Sequence, residues 1–126
     1  MADVDRNGVR IATAVNSAYD LYLSRNIKHA TLVRANAIQG SYDVFVKDKL
    51  EVLSGLKPRL LTDAQTLPGS RILEGRFTVV QQSVGTPQGR PAGAKYLGEF
   101  AQDVKVTGFV AQAIARHAVR GVTVAP

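Results

Sequence analysis

The residues best placed to do chemistry are Asn16-Ser17-Ala18-Tyr19. Before them, from Val9 to Val15, the residues Val9, Ile11, Thr13 and Val15 alternate as one face of a strand. After them, Leu21, Tyr22 and Leu23 supply the apolar residues of a short helix running to about Asn26. A strand feeding a helix leaves free backbone N–H groups and the positive end of the helix dipole at one point. Ser17 adds a hydroxyl there. Such a turn can hold a carboxylate or phosphate without any charged side chain. Ser17 can equally be the N-cap of its own helix and nothing more.

Arg34 and Lys57 are the next candidates. Arg34 ends a second strand, Ala30 to Arg34, and precedes a helix opened by Asn36 and carrying Ile38, Tyr42, Phe45 and Val46. That is the carboxyl edge, where open α/β sheets bind ligands. Lys57 and Arg59 flank Pro58 after a third strand, Lys49 to Ser54, on the same expected edge. With Arg34 they form either an anion-attracting rim or a scattered surface cluster.

Other chemistries find little support. There is no cysteine, which excludes disulfides, zinc thiolates and a cysteine nucleophile. His29 and His117 are far apart, with no acidic residue at metal-ligand spacing. No Gly-x-Ser-x-Gly elbow and no Gly-x-x-x-x-Gly-Lys-Ser/Thr loop occurs. The one carboxylate a turn from Ser17 is Asp20, too little for an enzyme. We expect neither enzymatic activity nor a cofactor. The net charge is +6, but the 16 Lys and Arg residues are scattered and do not interleave with aromatics, so nucleic acid is not an expected partner.

The elements that must position these residues alternate in type. A short helix follows over Arg59 to Thr66, and Ser70 to Leu73 reads as extended. Arg76 to Ser83, centred on Phe77-Thr78-Val79-Val80, has the strongest strand composition in the chain. Gly85 to Pro91 reads as a loop. Ala92 to Val106 and Phe109 to Ala118 read as amphipathic helices parted by Gly108. The alternation predicts an α/β fold of three layers, a mainly parallel sheet flanked by helices. A chain of 126 residues is enough for one such core. The expected organisation is a disordered start over 1–7, an α/β lobe over 8–84, and a loop with helices over 85–126. Met1 to Gly8 has neither a basic n-region nor an apolar h-region, so it does not read as a signal peptide.

Several of these segments together resemble a known family. Val9-Arg-Ile-Ala-Thr-Ala-Val-Asn16-Ser17-Ala18-Tyr19-Asp20 is similar to a strand followed by Gly-Thr/Ser-Thr/Ala-Tyr-Asp. Arg34 to Gln39 into Phe45, then Lys49-Leu50-Glu51-Val52-Leu53-Ser54-Gly55, resembles a helix before the strand Val-Asp-Ala-Val-Val-Gly-Asp. Phe77-Thr-Val-Val-Gln-Gln with Thr86-Pro87-Gln88-Gly89 resembles a returning strand and loop, and Phe100 through His117 the closing helices. The family is that of the bacterial extracellular solute-binding proteins, family 3, which are the substrate-binding components of ABC importers. The resemblance covers roughly residues 8 to 118 and corresponds to the C-terminal half, the second lobe and its closing helices.

The resemblance implies a periplasmic-binding-protein type II lobe, a periplasmic location, a small-molecule solute and ABC permease subunits as partners. It places the ligand at Asn16, Ser17, Ala18, Tyr19, Arg34 and Lys57. Two positions depart from the family pattern. Asn16 replaces the Gly before the turn, and Leu56 falls where the family carries an amine-binding Asp. An ammonium group would be buried there without a partner, so a neutral or anionic solute is expected. Most of a first lobe has no counterpart in the chain. This motivates an alternative, a structural or interaction module without ligand. It would form a homo-oligomer by packing Leu97, Phe100, Phe109 and Ile114 on a second copy.

Overall fold

The computed structural model describes residues 4–126. The chain forms two compact units, one ending at Val79 and the other running from Val80 to Pro126.

The first unit is built on a three-stranded parallel sheet. Its elements are β1 (Arg10–Ala14), α1 (Ala18–Asn26), β2 (Thr31–Ala35), α2 (Ala37–Lys47), β3 (Val52–Leu53) and α3 (Lys57–Thr66). The strand order is β2-β1-β3. Arg10 to Ala14 pair in register with Thr31 to Ala35, and Ile11 and Ala12 pair with Val52 and Leu53. The chain leaves β1 to one side and returns to the other. With right-handed crossovers, α1 and α2 then cover opposite faces. Both helices contact β1. The α/β class expected from the alternation is therefore present, in a form compatible with three layers.

The core sits on β1. Ile11, Ala12, Thr13 and Ala14 are all buried, as a central parallel strand covered on both faces must be. Tyr19 and Leu23 of α1 and Leu50 before β3 complete the buried apolar set. Ser54 anchors the far end, its backbone N–H and its hydroxyl both donating to the Ala12 carbonyl at 2.9 Å.

Two carboxylates fasten the near end. Glu51 accepts from the Arg10 guanidinium at 2.8 and 3.0 Å and from the Arg10 backbone N–H at 2.8 Å. These bonds, the side-chain one foremost, lower its pKa from 4.5 to about 2. Asp5 accepts from the backbone N–H groups of Lys28, His29 and Ala30 at 3.1, 2.7 and 3.0 Å. Those bonds hold its carboxyl below the ordinary range, the one from Ala30 having the largest effect. The expected disorder over 1–7 is thus not seen from Val4 to Asn7, which lie in turns and bends. Met1 to Asp3 lie outside the described residues.

Other expectations change with the structure. Arg76 to Ser83 forms no strand. Its β-rich composition expresses fitness for a pleated, half-buried surface, and no neighbouring strand supplies one among the described residues. Phe77 instead sets its ring 5.6 Å from that of Tyr22. The third strand shrinks to Val52–Leu53, because Lys49 adopts a left-handed φ of 49° and Glu51 is engaged with Arg10. Helix α3 begins at Lys57 and takes Pro58 into its first turn, where no N–H is needed.

The second unit holds α4 (Pro91–Val106) and α5 (Phe109–Arg116), parted by Gly108 at φ 77°. The division at Val79–Val80 falls inside the strand-like run rather than after residue 84. None of the described residues of this unit is buried, and Tyr96 and Phe109 are 67% and 63% exposed.

Two predictions follow from the core and its fastenings. The hydroxyl of Thr13 is fully buried with no partner among the described residues. Replacing an unsatisfied buried hydroxyl by an isosteric methyl removes its desolvation cost. Thr13→Val should raise stability by about 1 kcal/mol in urea unfolding. Glu51 has a depressed folded pKa, so its contribution is present above about pH 4.5 and disappears as pH falls toward about 2. Unfolding midpoints should drop across that window. Glu51→Gln should be less stable above it and show a flatter profile within it.

Candidate functional site

Three loops leave the carboxyl edge of the sheet, and they carry the residues of interest. The loop after β1 contains Asn16 and Ser17, Arg34 lies near the end of β2, and Lys57 opens α3 after β3.

The turn after β1 is closed by the protein's own groups. Asn16 adopts a left-handed backbone with φ 61°, a conformation asparagine tolerates better than most residues. Ser17 is the N-cap of α1, its Oγ accepting from the Asp20 N–H at 3.1 Å. The Asp20 carboxylate reaches back and accepts from the Asn16 N–H at 3.0 Å. The Ser17 N–H donates to the Ala14 carbonyl at 3.2 Å. This resembles a capping box, with the acidic side chain reaching one residue further back. The position where a ligand carboxylate could sit is therefore partly filled by Asp20.

Arg34 completes the same cluster. Its Nε donates to Asp20 Oδ1 at 2.9 Å and its Nη2 to Ser24 Oγ at 2.7 Å. Ser24 Oγ in turn donates to the Asp20 carbonyl at 2.7 Å. The Asp20 side chain is 4% exposed and that of Arg34 43%. Arg34 is thus the counter-ion of a buried carboxylate and ties β2 to α1. Asp20 and Ser24 belong to this site although the expected set omitted them. The Ser17-x-x-Asp20 spacing was the signal that could have found Asp20.

Three donors in the turn stay open. The N–H groups of Ala18 and Tyr19 have no partner among the described residues, and the Ser17 hydroxyl keeps its proton. Ala18 is exposed, whereas Tyr19 is 4% exposed and its phenol has no partner among the described residues. With Asp20 and Arg34 neutralising one another, this turn suits a neutral hydrogen-bonding group better than a second carboxylate.

The loop after β3 has the opposite character. Helix α3 has Leu56 as N-cap and no side-chain cap, which leaves the Lys57 and Arg59 N–H groups open. The Lys57 side chain is exposed and makes no hydrogen bond or ion pair among the described residues. Arg59 is held elsewhere. It donates to Asp63 Oδ1 and to Gln39 Oε1, each at 2.7 Å, and its guanidinium lies 5.9 Å from the centre of the Tyr42 ring. Of the three basic residues of the expected rim, only Lys57 keeps a free charge.

The expected residues therefore divide. Asn16, Ser17 and Arg34 meet around Asp20, while Lys57 stands at a separate helix start, after the strand β3 that pairs with β1. A shallow concavity in the second unit is lined by Thr86, Pro87, Arg90, Pro91 and Ala94 and includes none of them. No group of His, Asp or Glu that could hold a metal ion occurs among the described residues. Among the described residues, no helix is long and apolar enough to cross a membrane.

The cluster predicts unequal mutant effects. Arg34→Met leaves the Asp20 carboxylate buried without its cation and should cost about 2–3 kcal/mol. Asp20→Asn leaves a half-exposed guanidinium that water can solvate and should cost about 1–2 kcal/mol. The double variant should cost less than the sum, as measured by urea unfolding in a double-mutant cycle. Compared with protein-family models, curated proteins and solved structures, the chain has no significant match in any of the three.

Proposed function

We propose that the first unit is a solute-binding lobe of an ABC-type import system, taking a small neutral or anionic organic solute at the carboxyl edge of its sheet. The observation that carries this reading is the start of α3. Lys57, without a partner among the described residues, lies beside two open N–H groups at the start of the helix that follows β3, the strand paired with β1. A helix start with free donors and a free cation favours a negative group. The three open donors of the Ser17 turn favour a hydroxyl or carbonyl. A solute with an anionic end and a polar neutral end matches the two loops. The strand order agrees with this placement, since ligands of open parallel sheets lie outside the carboxyl ends at the point where the order reverses, here between β1 and β3. The finer assignment, to a periplasmic-binding-protein type II lobe working with permease subunits in the periplasm, rests on the resemblance in sequence.

A second reading has its own observation. The second unit has no buried residue among those described and exposes Tyr96, Phe100, Val106 and Phe109. An interaction module that self-associates would cover such surface.

Native mass spectrometry of the freshly purified chain separates the two. The solute-binding reading expects a small added mass that is lost in Lys57→Glu. A bare dimer supports self-association instead. A bare monomer, with no mass taken up from a panel of hydroxy acids and dicarboxylates at millimolar levels, would overturn both.

A further inference from the structure

We propose that Asn7 is a site of spontaneous deamidation, and that the isoaspartate formed there releases the Asp5 clamp from the segment entering β2.

The chemistry needs an asparagine whose carboxamide is free and whose following backbone nitrogen can reach it. Asn7 and Gly8 are the central residues of a turn closed by the Val9 N–H on the Arg6 carbonyl at 3.2 Å. Both are exposed. Gly8 has φ 85°, and a Cβ built on it would meet nothing within 4 Å. Neither the Asn7 carboxamide nor the Gly8 N–H has a hydrogen-bond partner among the described residues. The Gly8 nitrogen is thus free to attack the Asn7 Cγ. A C–N bond forms, the carboxamide nitrogen leaves as ammonia with the Gly8 proton, and a five-membered succinimide results. Water then opens the ring. Cleavage at the side-chain carbonyl gives aspartate, and cleavage at the main-chain carbonyl gives isoaspartate. The sum is asparagine plus water to a carboxylic acid plus ammonia.

The other three asparagines are internal controls. After Asn16, the Ser17 N–H is engaged by the Ala14 carbonyl at 3.2 Å. Asn26 donates its carboxamide to the Tyr22 carbonyl at 2.8 Å, and the following Ile27 N–H donates to Leu23. Asn36 is followed by Ala37, whose Cβ crowds the approach. Asn7 alone combines a free carboxamide, a free amide and a following glycine.

The consequence comes from what the turn connects. On one side Asp5 holds the N–H groups of Lys28, His29 and Ala30, and on the other the Val9 carbonyl accepts from Thr31 N–H at 2.9 Å. Arg6 to Gly8 therefore span two attachments to one short segment. Isoaspartate inserts a methylene into the main chain between them, and one attachment must yield. The Asp5 side yields, because the Val9 side continues directly into the β1–β2 ladder.

The test incubates the full chain in mildly alkaline buffer at physiological temperature. Mass-spectrometric peptide mapping follows each asparagine, and hydrogen exchange follows Lys28, His29 and Ala30. We expect conversion at Asn7 ahead of the other three sites. Exchange in the isoaspartate fraction should rise by roughly tenfold or more at those three amides, as loss of their hydrogen bonds requires. Asn7→Gln should stay unconverted. Asn7→Asp, which adds the charge without the methylene, should keep the amides protected. Conversion at Asn7 no faster than at Asn16 would overturn the site. Unchanged protection in the isoaspartate fraction, or equal loss in Asn7→Asp, would overturn the release.

Discussion

The carboxylate of Asp20 is the constraint on which the first unit's carboxyl edge depends. It is buried, so it must be satisfied on every side. The Asn16 N–H and the Arg34 guanidinium donate to its two oxygens, while the Ser17 hydroxyl accepts from Asp20's own backbone N–H. One group thereby fixes the exit from β1, the start of α1 and the end of β2. It also decides what the turn can receive. An anion placed there would face a carboxylate already in possession of two donors, and the neighbouring cation is already neutralised.

That arrangement leaves the free positive charge of the edge to the next loop. Ionic groups alone do not reveal which charges are free. Arg34 and Arg59 stand on the expected edge as surely as Lys57, and in sequence all three read as one rim. The structure pairs the first with Asp20 and the second with Asp63 and Gln39. Only the third keeps its charge unpaired among the described residues. Pairing depends on which helix faces fall together. The Arg59–Asp63 pair has four-residue spacing and was readable. Asp20 with Arg34 joins a helix to the following strand across fourteen positions, and periodicity does not encode that contact.

Local rules carried the sequence reading where one element was self-sufficient. The helix after Ser17 ends at Asn26, as its cap and apolar pattern required, and β1 lies within the expected Val9 to Val15 with one residue trimmed at each end, although both of its faces are buried where the alternation implied one. The reading failed where a partner was needed. Phe77 to Val80 has a better strand composition than Val52–Leu53, yet the latter is the strand, because β1 offers it a ladder. Strand propensity measures what a pleated surface would gain from a residue, and that gain requires a neighbour. The same reasoning explains the second unit. Its helices were legible from their periodicity, but periodicity does not supply the surface their apolar faces need.

The two units thus differ in kind. In the first, polar groups are spent on internal closure. Asp5 holds the approach to β2, Glu51 ties β3 to β1, and Asp20 closes the turn after β1. What remains open there is small and polar, the scale of a solute. In the second, what remains open is apolar and extends along two helices, the scale of a protein surface. Bound solute would answer only the first need, because no small polar molecule covers Tyr96, Phe100 and Phe109. A role for the whole chain must therefore satisfy both units. Under the proposed reading, solute recognition by the first and packing of a macromolecular surface by the second would be complementary demands.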